Sequence, residues 1–365
     1  MVKIDLLDIT GTELAARLRA ETTLIDDFPR PDLALEKRSN YLSSRIMKNL
    51  WEGSSFKHLS TKLGKRTPII NWIHETICIN SLHLYSEQVS DDSTRKFLWK
   101  LKDGETVESV LIPGSGRQTQ NTLCISSQVG CAMGCTFCLT ATQGLKRHLT
   151  SSEIVGQVHA VSRNYKINKI VFMGMGEPLH NLQNIIRSIQ VFTDSTGFGI
   201  SSRNITVSTS GLVPAMEELM SATSVRLAVS LNASTDKQRD LLMPVNLRWP
   251  IRELMVACKQ IIQKSTRSQR ILFEYVLLSG INDSLEDADR LVNLLKSIPC
   301  KINLIPMNSH DRSSFKKPSA TKQIAFKKRL LSNGIAVTLR RERGSDILAA
   351  CGQLKSKVQE FNLDC

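Results

Sequence analysis

From Thr122 onward, short apolar runs alternate with stretches of helical pattern. TLCIS, KIVFMGM, ITVSTS, RLAVSL, ILFEYVLL, KINLIP and AVTLR are rich in β-branched residues, and repeated strand-then-helix units predict a parallel sheet. The runs are continuously apolar, so both faces of each strand should be covered, as in a barrel or a doubly wound sheet. Thr150 and Glu153 have the spacing of a capping box and should open a helix over SSEIVGQVHAV. Upstream the pattern differs. GTELAARLRAE and ALEKRSNYLSSRIMKNLWEG read as helices, and no strand alternation is visible before about residue 90. RKFLWKL and TVESVLIP flank Lys102-Asp103-Gly104, where Asp-Gly signals a tight hairpin. The expected division is an N-terminal helical domain over 1–90, a β-hairpin linker over 91–116, a core over 117–350 and a C-terminal segment over 351–365.

The chain has 365 residues, of which 41% are hydrophobic and 22% charged, a balance that supports a sizeable buried core. Forty-eight Lys and Arg against 34 Asp and Glu leave a net charge of +14, which favours a polyanionic partner such as nucleic acid over an acidic one. Between Arg312 and Arg343 lie ten basic residues and one acid, Glu342, so a basic face is expected there. A solvated surface is the plainer reading of the same residues. No run is apolar enough to span a membrane, and MVKIDLLDIT carries acids where a secretory signal needs a basic and then apolar start. A cytoplasmic protein with no membrane partner is expected.

Nine cysteines without regular spacing argue against a secreted disulfide framework and for metal or redox chemistry. Three cluster in CAMGCTFC as Cys131, Cys135 and Cys138, just after the first strand of the repeating units, at the end of a parallel barrel where active sites form. Three thiolates can hold three irons of a four-iron cluster and leave the fourth open, whereas electron-transfer clusters are closed by four. A structural zinc site would want four ligands, and Cys124 is the one other cysteine nearby. GMGEP, Gly174 to Pro178, follows the second strand. Its glycines would let backbone approach a ligand closely, although a tight turn is an alternative.

The C-x-x-x-C-x-x-C spacing with Phe137 before the last cysteine resembles the radical S-adenosylmethionine (SAM) superfamily. Longer stretches narrow this: TLCISSQVGCAMGCTFC, EIVGQV, VFMGMGEPLHN, TVSTSGLVPAM, FEYVLLSGIND, CKINLIPMN and RGSDILAACGQL. From about Glu108 to Leu354 they resemble the RlmN-type adenine-C2 methyltransferases of 23S rRNA and tRNA, within the RlmN/Cfr family. That resemblance implies an α/β fold, a partial (β/α)6 radical SAM barrel with strand extensions and a small N-terminal helical domain. It also implies one 4Fe-4S cluster per chain on Cys131, Cys135 and Cys138, and consumption of two SAM molecules per methylation. The partners implied are 23S rRNA, tRNA and an electron donor such as flavodoxin or ferredoxin, with the enzyme a monomer.

Carbon 2 of adenine is electron-poor and cannot attack a sulfonium methyl, so a covalent radical route is needed. By resemblance, Cys351 takes a methyl group from one SAM, a second SAM supplies a radical that removes a hydrogen from that methyl, and the resulting carbon joins the adenine. Cys124 then releases the product by forming a disulfide with Cys351, and Glu108 accepts the proton from carbon 2. Gly176, Glu177, Ser208, Ser230, Leu231, Asn232 and Asn308 would contact SAM. Taken alone, an Ala-Ala-Cys-Gly helix end is more often packing, and a hairpin glutamate is more often solvated. Cys78, Cys258, Cys300 and Cys365 match no family catalytic position and read as packing. Asn232 stands where the family usually has His and cannot titrate near neutrality. Methylation of carbon 8, the Cfr-type reaction, is the nearest rival, and a zinc-stabilised RNA-binding protein without activity is a rival of another class.

Overall fold

The computed structural model describes residues 3–21, 34–51, 67–114, 120–265, 270–308 and 313–355. Contacts divide the chain into two compact units. The first comprises Met1–Leu82, Thr150–Asn168 and Gln183–Ser202, and the second His83–Leu149, Lys169–Leu182 and Arg203–Cys365.

In the first unit, α1 (Gly11–Ala20) starts at Thr10, whose hydroxyl accepts from the Glu13 amide while Glu13 returns a bond to the Thr10 amide. It packs on α2 (Leu35–Trp51), and Leu14, Leu18, Leu42 and Ile46 are buried. Helix α3 (Thr67–Thr76) leads into a two-residue strand, Ile77–Cys78, which runs parallel to Ile4–Asp5. Helix α4 (Ser151–Ser162) opens with the Thr150–Glu153 capping box that the spacing predicts. Most of α5 (Leu182–Thr193) belongs here too. Trp51 closes the cluster, its ring 3.7 Å from that of Phe198 and edge-on to His159 at 5.3 Å.

The second unit is built on one ten-stranded sheet. Numbering the strands in chain order from the two short ones, it contains β3 (His83–Val89), β4 (Arg95–Lys100), β5 (Thr106–Ile112), β6 (Thr122–Cys124), β9 (Lys169–Phe172), β10 (Ile205–Thr209), β11 (Arg226–Ser230), β12 (Ile271–Leu277), β13 (Cys300–Pro306) and β14 (Ala336–Leu339). The spatial order is β14-β13-β12-β11-β10-β9-β6-β5-β4-β3. All seven strands from β6 to β14 are mutually parallel and coincide with the seven apolar runs. Helices α6 (Val213–Ala222), α7 (Asp236–Leu242), α8 (Ile251–Lys264), α9 (Leu285–Leu295) and α10 (Ala320–Ser332) fill the later crossovers. The architecture is α/β, a seven-stranded parallel sheet to which β5, β4 and β3 are added as an antiparallel extension.

The hairpin at Asp103-Gly104 forms as expected, with Gly104 at φ +85°. The helical reading up to residue 90 is corrected at its end, because His83–Val89 is a strand. Every residue of β3 is exposed, as an edge strand covered on neither face can be, so no buried and exposed positions alternate in HLYSEQV for a reader to find. Ala350 and Cys351 lie in a turn, not at a helix end, with Gly352 at φ +82°. Cys365, Arg312 and part of the second N-terminal helical stretch, Glu52-Gly53, lie outside the described residues.

Candidate active site

The cysteine loop lies between β7 (Gln128–Gly130) and β8 (Leu145–His148), which pair as a two-stranded antiparallel sheet. Gly130, at φ +75°, is obligatory there, since a Cβ would lie 1.8 Å from the Gly144 carbonyl oxygen. The loop is pinned along its length. The Cys131 amide donates to Gly144 O at 2.8 Å, Thr136 N to Leu242 O at 3.0 Å and Leu139 N to Gly352 O at 2.8 Å. Thr140 Oγ1 donates to Leu354 O at 2.6 Å. Two of these bonds tie the segment carrying Cys351 to the segment carrying Cys138, a juxtaposition that spacing along the chain could not reveal.

Cys131, Cys135 and Cys138 line one cleft of about 970 Å³ together with Gly174, Gly176 and Glu177. Burial pushes the Cys131 thiol up to about 12 and Cys135 well above the usual thiol range, and neighbouring Cys138 and Glu177 add to both shifts. Among the described residues no three His, Cys, Asp or Glu side chains converge closely enough to hold a single metal ion. Three separated thiols opening on a common cleft instead suit a cluster that takes each cysteine on a different iron. Its iron charge would also supply the cation that buried thiolates need.

Among the described residues, two buried oxygens on this cleft have no hydrogen-bond partner, Glu274 Oε2 and Asn308 Oδ1. Buried polar groups are nearly always satisfied, so orphans gathered on one cleft mark a place for a polar ligand. Glu177 is not among them. Its carboxylate accepts from Leu179 N at 3.0 Å and Ser210 N at 2.7 Å, although burial still raises it above the ordinary carboxylate range. The glycines before it serve packing within the chain. A Cβ on Gly174 would lie 2.7 Å from Ile125 backbone, and one on Gly176, already at φ +99°, would lie 2.6 Å from the Gln128 side chain. The close approach expected of GMGEP is thus to the Ile125–Gln128 segment, while both glycines still face the cleft.

Of the other expected SAM contacts, Ser208, Ser230 and Asn308 line the cleft. Leu231 does not, and its side chain is buried. Asn232 reaches the cleft at φ +55°, a left-handed conformation that Asn tolerates well. Its carboxamide is engaged within the fold, with Oδ1 accepting from Val276 N at 2.8 Å and Nδ2 donating to Met243 sulfur at 3.2 Å. Sequence reasoning missed Arg239. It is fully buried and donates to the carbonyls of Ser210, Ser230 and Leu231, joining the ends of β10 and β11. A charged residue on a short amphipathic helix gives no signal of such a role.

A second cleft, of about 1140 Å³, is lined by Cys124 from β6, Arg340 at the end of β14, Asn308 and Cys351. Cys351 and Arg340 line both clefts. Cys124 and Cys351 are free thiols. Cys124 is buried, which pushes it up to about 12, and its proximity to Cys351 acts in the same direction. Arg340 Nη1 lies 3.6 Å from Cys351 Sγ. Glu108 is buried on β5, not solvated. It accepts from Lys355 N at 2.9 Å and lies 3.4 Å from Lys96 Nζ, and burial raises its carboxyl above the ordinary range. It lines neither cleft.

The radical SAM superfamily model matches residues 125–294. A dual-specificity RNA methyltransferase RlmN from Geotalea uraniireducens is 52% identical over 79% of this chain and 82% of its own length. Another so named, from Geobacter sulfurreducens, is 50% identical over 88% of each.

The chain belongs to the RlmN family.

The crystal structure of a radical SAM methyltransferase from Sphaerobacter thermophilus agrees, with a TM-score of 0.84 and 36% identity over 96% of this chain and 99% of that one. The protein is therefore a radical SAM methyltransferase, and the RlmN relatives align across both the cysteine loop and most of the barrel. No helix among the described residues is long and apolar enough to cross a membrane. The basic stretch is less free than its composition implies. Lys317 pairs with Glu342, Lys322 with Asp283, Arg329 with Asp289 and Arg343 with Asp92, leaving Lys316, Lys327, Lys328 and Arg341 outside any ion pair among the described residues.

Proposed function

We propose that this enzyme methylates carbon 2 of an adenosine in 23S rRNA and of the adenosine 3′ of the anticodon in tRNA, through a methyl group carried on Cys351. The single observation that carries the reading is the position of Cys351, which faces the cysteine-loop cleft on one side and Cys124 on the other. A thiol placed there can meet SAM and then be met by a second thiol. The dual-specificity naming of the relatives supports two RNA substrates.

Cys131, Cys135 and Cys138 would hold a 4Fe-4S cluster, which when bound supplies the electron that splits SAM and yields a carbon radical. The orphaned oxygens of Glu274 and Asn308 would orient SAM by accepting its donors, and Gly176, Glu177, Ser208, Ser230 and Asn232 would complete the walls. The methyl on Cys351, having lost a hydrogen atom, would join carbon 2 of the adenine. Glu108, whose affinity for a proton is raised by burial, would accept the proton from that carbon in its ionised form, and Cys124 would displace the product by forming a bond to Cys351 sulfur. A flavodoxin- or ferredoxin-type donor provides electrons, and the enzyme works as a monomer in the cytoplasm. Lys316, Lys327, Lys328 and Arg341 would contact phosphates, with affinity falling as salt rises.

The test is nucleoside mass spectrometry of rRNA and tRNA from a strain lacking the gene. The reading expects 2-methyladenosine to disappear from both. Unchanged 2-methyladenosine refutes it, and loss of 8-methyladenosine instead would assign the carbon-8 reaction.

A further inference from the structure

A thiol is a poor acceptor for a sulfonium methyl, whereas a thiolate is a good one. The first half-reaction at Cys351 therefore needs a thiolate in an environment that favours negative charge. The cysteine loop provides no such help to Cys351, since what it and Glu177 bring to the cleft shared with Cys351 are thiols and a carboxylate. On the side of β14, however, a guanidinium faces the sulfur directly.

Arg340 is half-buried at the end of β14, with Nη1 3.6 Å from Cys351 Sγ and 4.0 Å from Glu274 Oε2. Glu274 is itself buried, on β12, and its Oε2 has no hydrogen-bond partner among the described residues, while Oε1 accepts from Asn303 at 3.0 Å. Arg340 thus stands between two groups that compete for one cation, a carboxylate at the limit of pairing distance and a sulfur already within contact. Cys124 also feels its charge.

We infer that Arg340 is the residue that activates Cys351, holding it as a thiolate for methyl acceptance, and that Glu274 takes the guanidinium once the sulfur has lost its charge. The balance is simple. The Cys351 proton leaves to water, which reaches this half-buried side chain. The thiolate sulfur forms a bond to the methyl carbon as the sulfonium carbon–sulfur bond breaks, and the products are a neutral thioether on Cys351 and neutral S-adenosylhomocysteine. Two opposite charges vanish, so nothing on the sulfur side retains Arg340. Its nearest remaining anion is Glu274, and a shift toward it would clear the sulfur for the radical step.

The inference rests on Cys351 being the methyl acceptor, and the experiment separates the two. Cluster-loaded enzyme is treated anaerobically with iodoacetamide across pH 6 to pH 11, and the tryptic peptide Gly344–Lys355, whose one cysteine is Cys351, is followed by mass in its unmethylated form. Arg340→Met should move the alkylation midpoint up by about one pH unit and slow alkylation about tenfold at pH 7.5. Arg340→Lys should restore most of the rate. Glu274→Gln, which frees the guanidinium, should move the midpoint down. If Arg340→Met does not fold, the Glu274→Gln shift carries the test alone. Folded variants with the wild-type profile would overturn the inference, and so would a Glu274→Gln profile that does not move down. If wild-type enzyme given SAM never acquires a methyl on this peptide, the acceptor role fails instead, whatever the alkylation profile.

Discussion

The cysteines of the loop and Cys351 are surrounded by different groups. Around Cys131 and Cys135 the protein offers burial and negative neighbours, so both thiols are pushed up, and Arg239 opposes the shift at Cys135 without reversing it. Around Cys351 it places the guanidinium of Arg340 at 3.6 Å. The contrast teaches where each site obtains its positive charge. In the proposed roles, a cluster would bring its own in the iron, whereas a nucleophile that reacts with a sulfonium would be charged by the chain itself.

The comparison breaks most visibly by removing one member of each set. Cys135→Ala should reduce iron from about four per chain toward background and abolish RNA methylation. Cys351→Ala should keep iron, colour and SAM binding and yet give no methylated RNA, by iron assay and nucleoside mass spectrometry. Equal iron loss in the two variants would mean that the sites are not separable.

Next in size is the backbone that sets the first cleft. Gly176→Ala adds a Cβ 2.6 Å from Gln128 at φ +99°, and should destabilise the protein by about 2–4 kcal/mol in denaturant unfolding. An unchanged midpoint would show that the Gln128 side chain can yield. Asn232→Ala should cost about 1–3 kcal/mol, because the Val276 amide loses its acceptor and the left-handed backbone loses a tolerant residue. A fully stable variant with weakened SAM binding would instead make Asn232 a ligand contact first.

The smallest effect lies away from both cysteine sites. Arg187 donates to both oxygens of Glu13 and holds its carboxyl down to about 2 from 4.5. A depressed carboxylate stabilises the fold above its unfolded value, and that contribution is lost as pH falls from about 4.5 through 2. Both side chains are partly exposed, so Glu13→Gln should cost under about 1 kcal/mol at pH 7, with the difference from wild type vanishing near pH 2 in thermal melts.

Much of the barrel was legible because buried parallel strands leave continuous apolar runs, and all seven were found where the runs lie. Strand β3 was not, since an edge strand exposed on both faces keeps no burial pattern. That Cys131, Cys135 and Cys138 share one cleft was legible from their spacing within a single loop. Cys124 and Cys351 were assigned by family resemblance, and only the fold brings them onto one cleft. Arg340 and Arg239 stayed hidden for a related reason. Each acts through carbonyls, a sulfur or a carboxylate contributed by distant strands, and a lone arginine in a basic chain gives no warning of its partners. The basic stretch misled in the other direction, since composition cannot show that Asp283, Asp289, Glu342 and Asp92 neutralise several of its members.

The central claim is that Cys351 carries the methyl group. Anaerobic, cluster-loaded enzyme is incubated with SAM bearing a trideuterated methyl group, without RNA, and digested with trypsin. The account predicts the labelled methyl on the peptide Gly344–Lys355, at Cys351, and on no peptide containing Cys124. A label on another cysteine, or none on this peptide from enzyme that still methylates RNA, would contradict it.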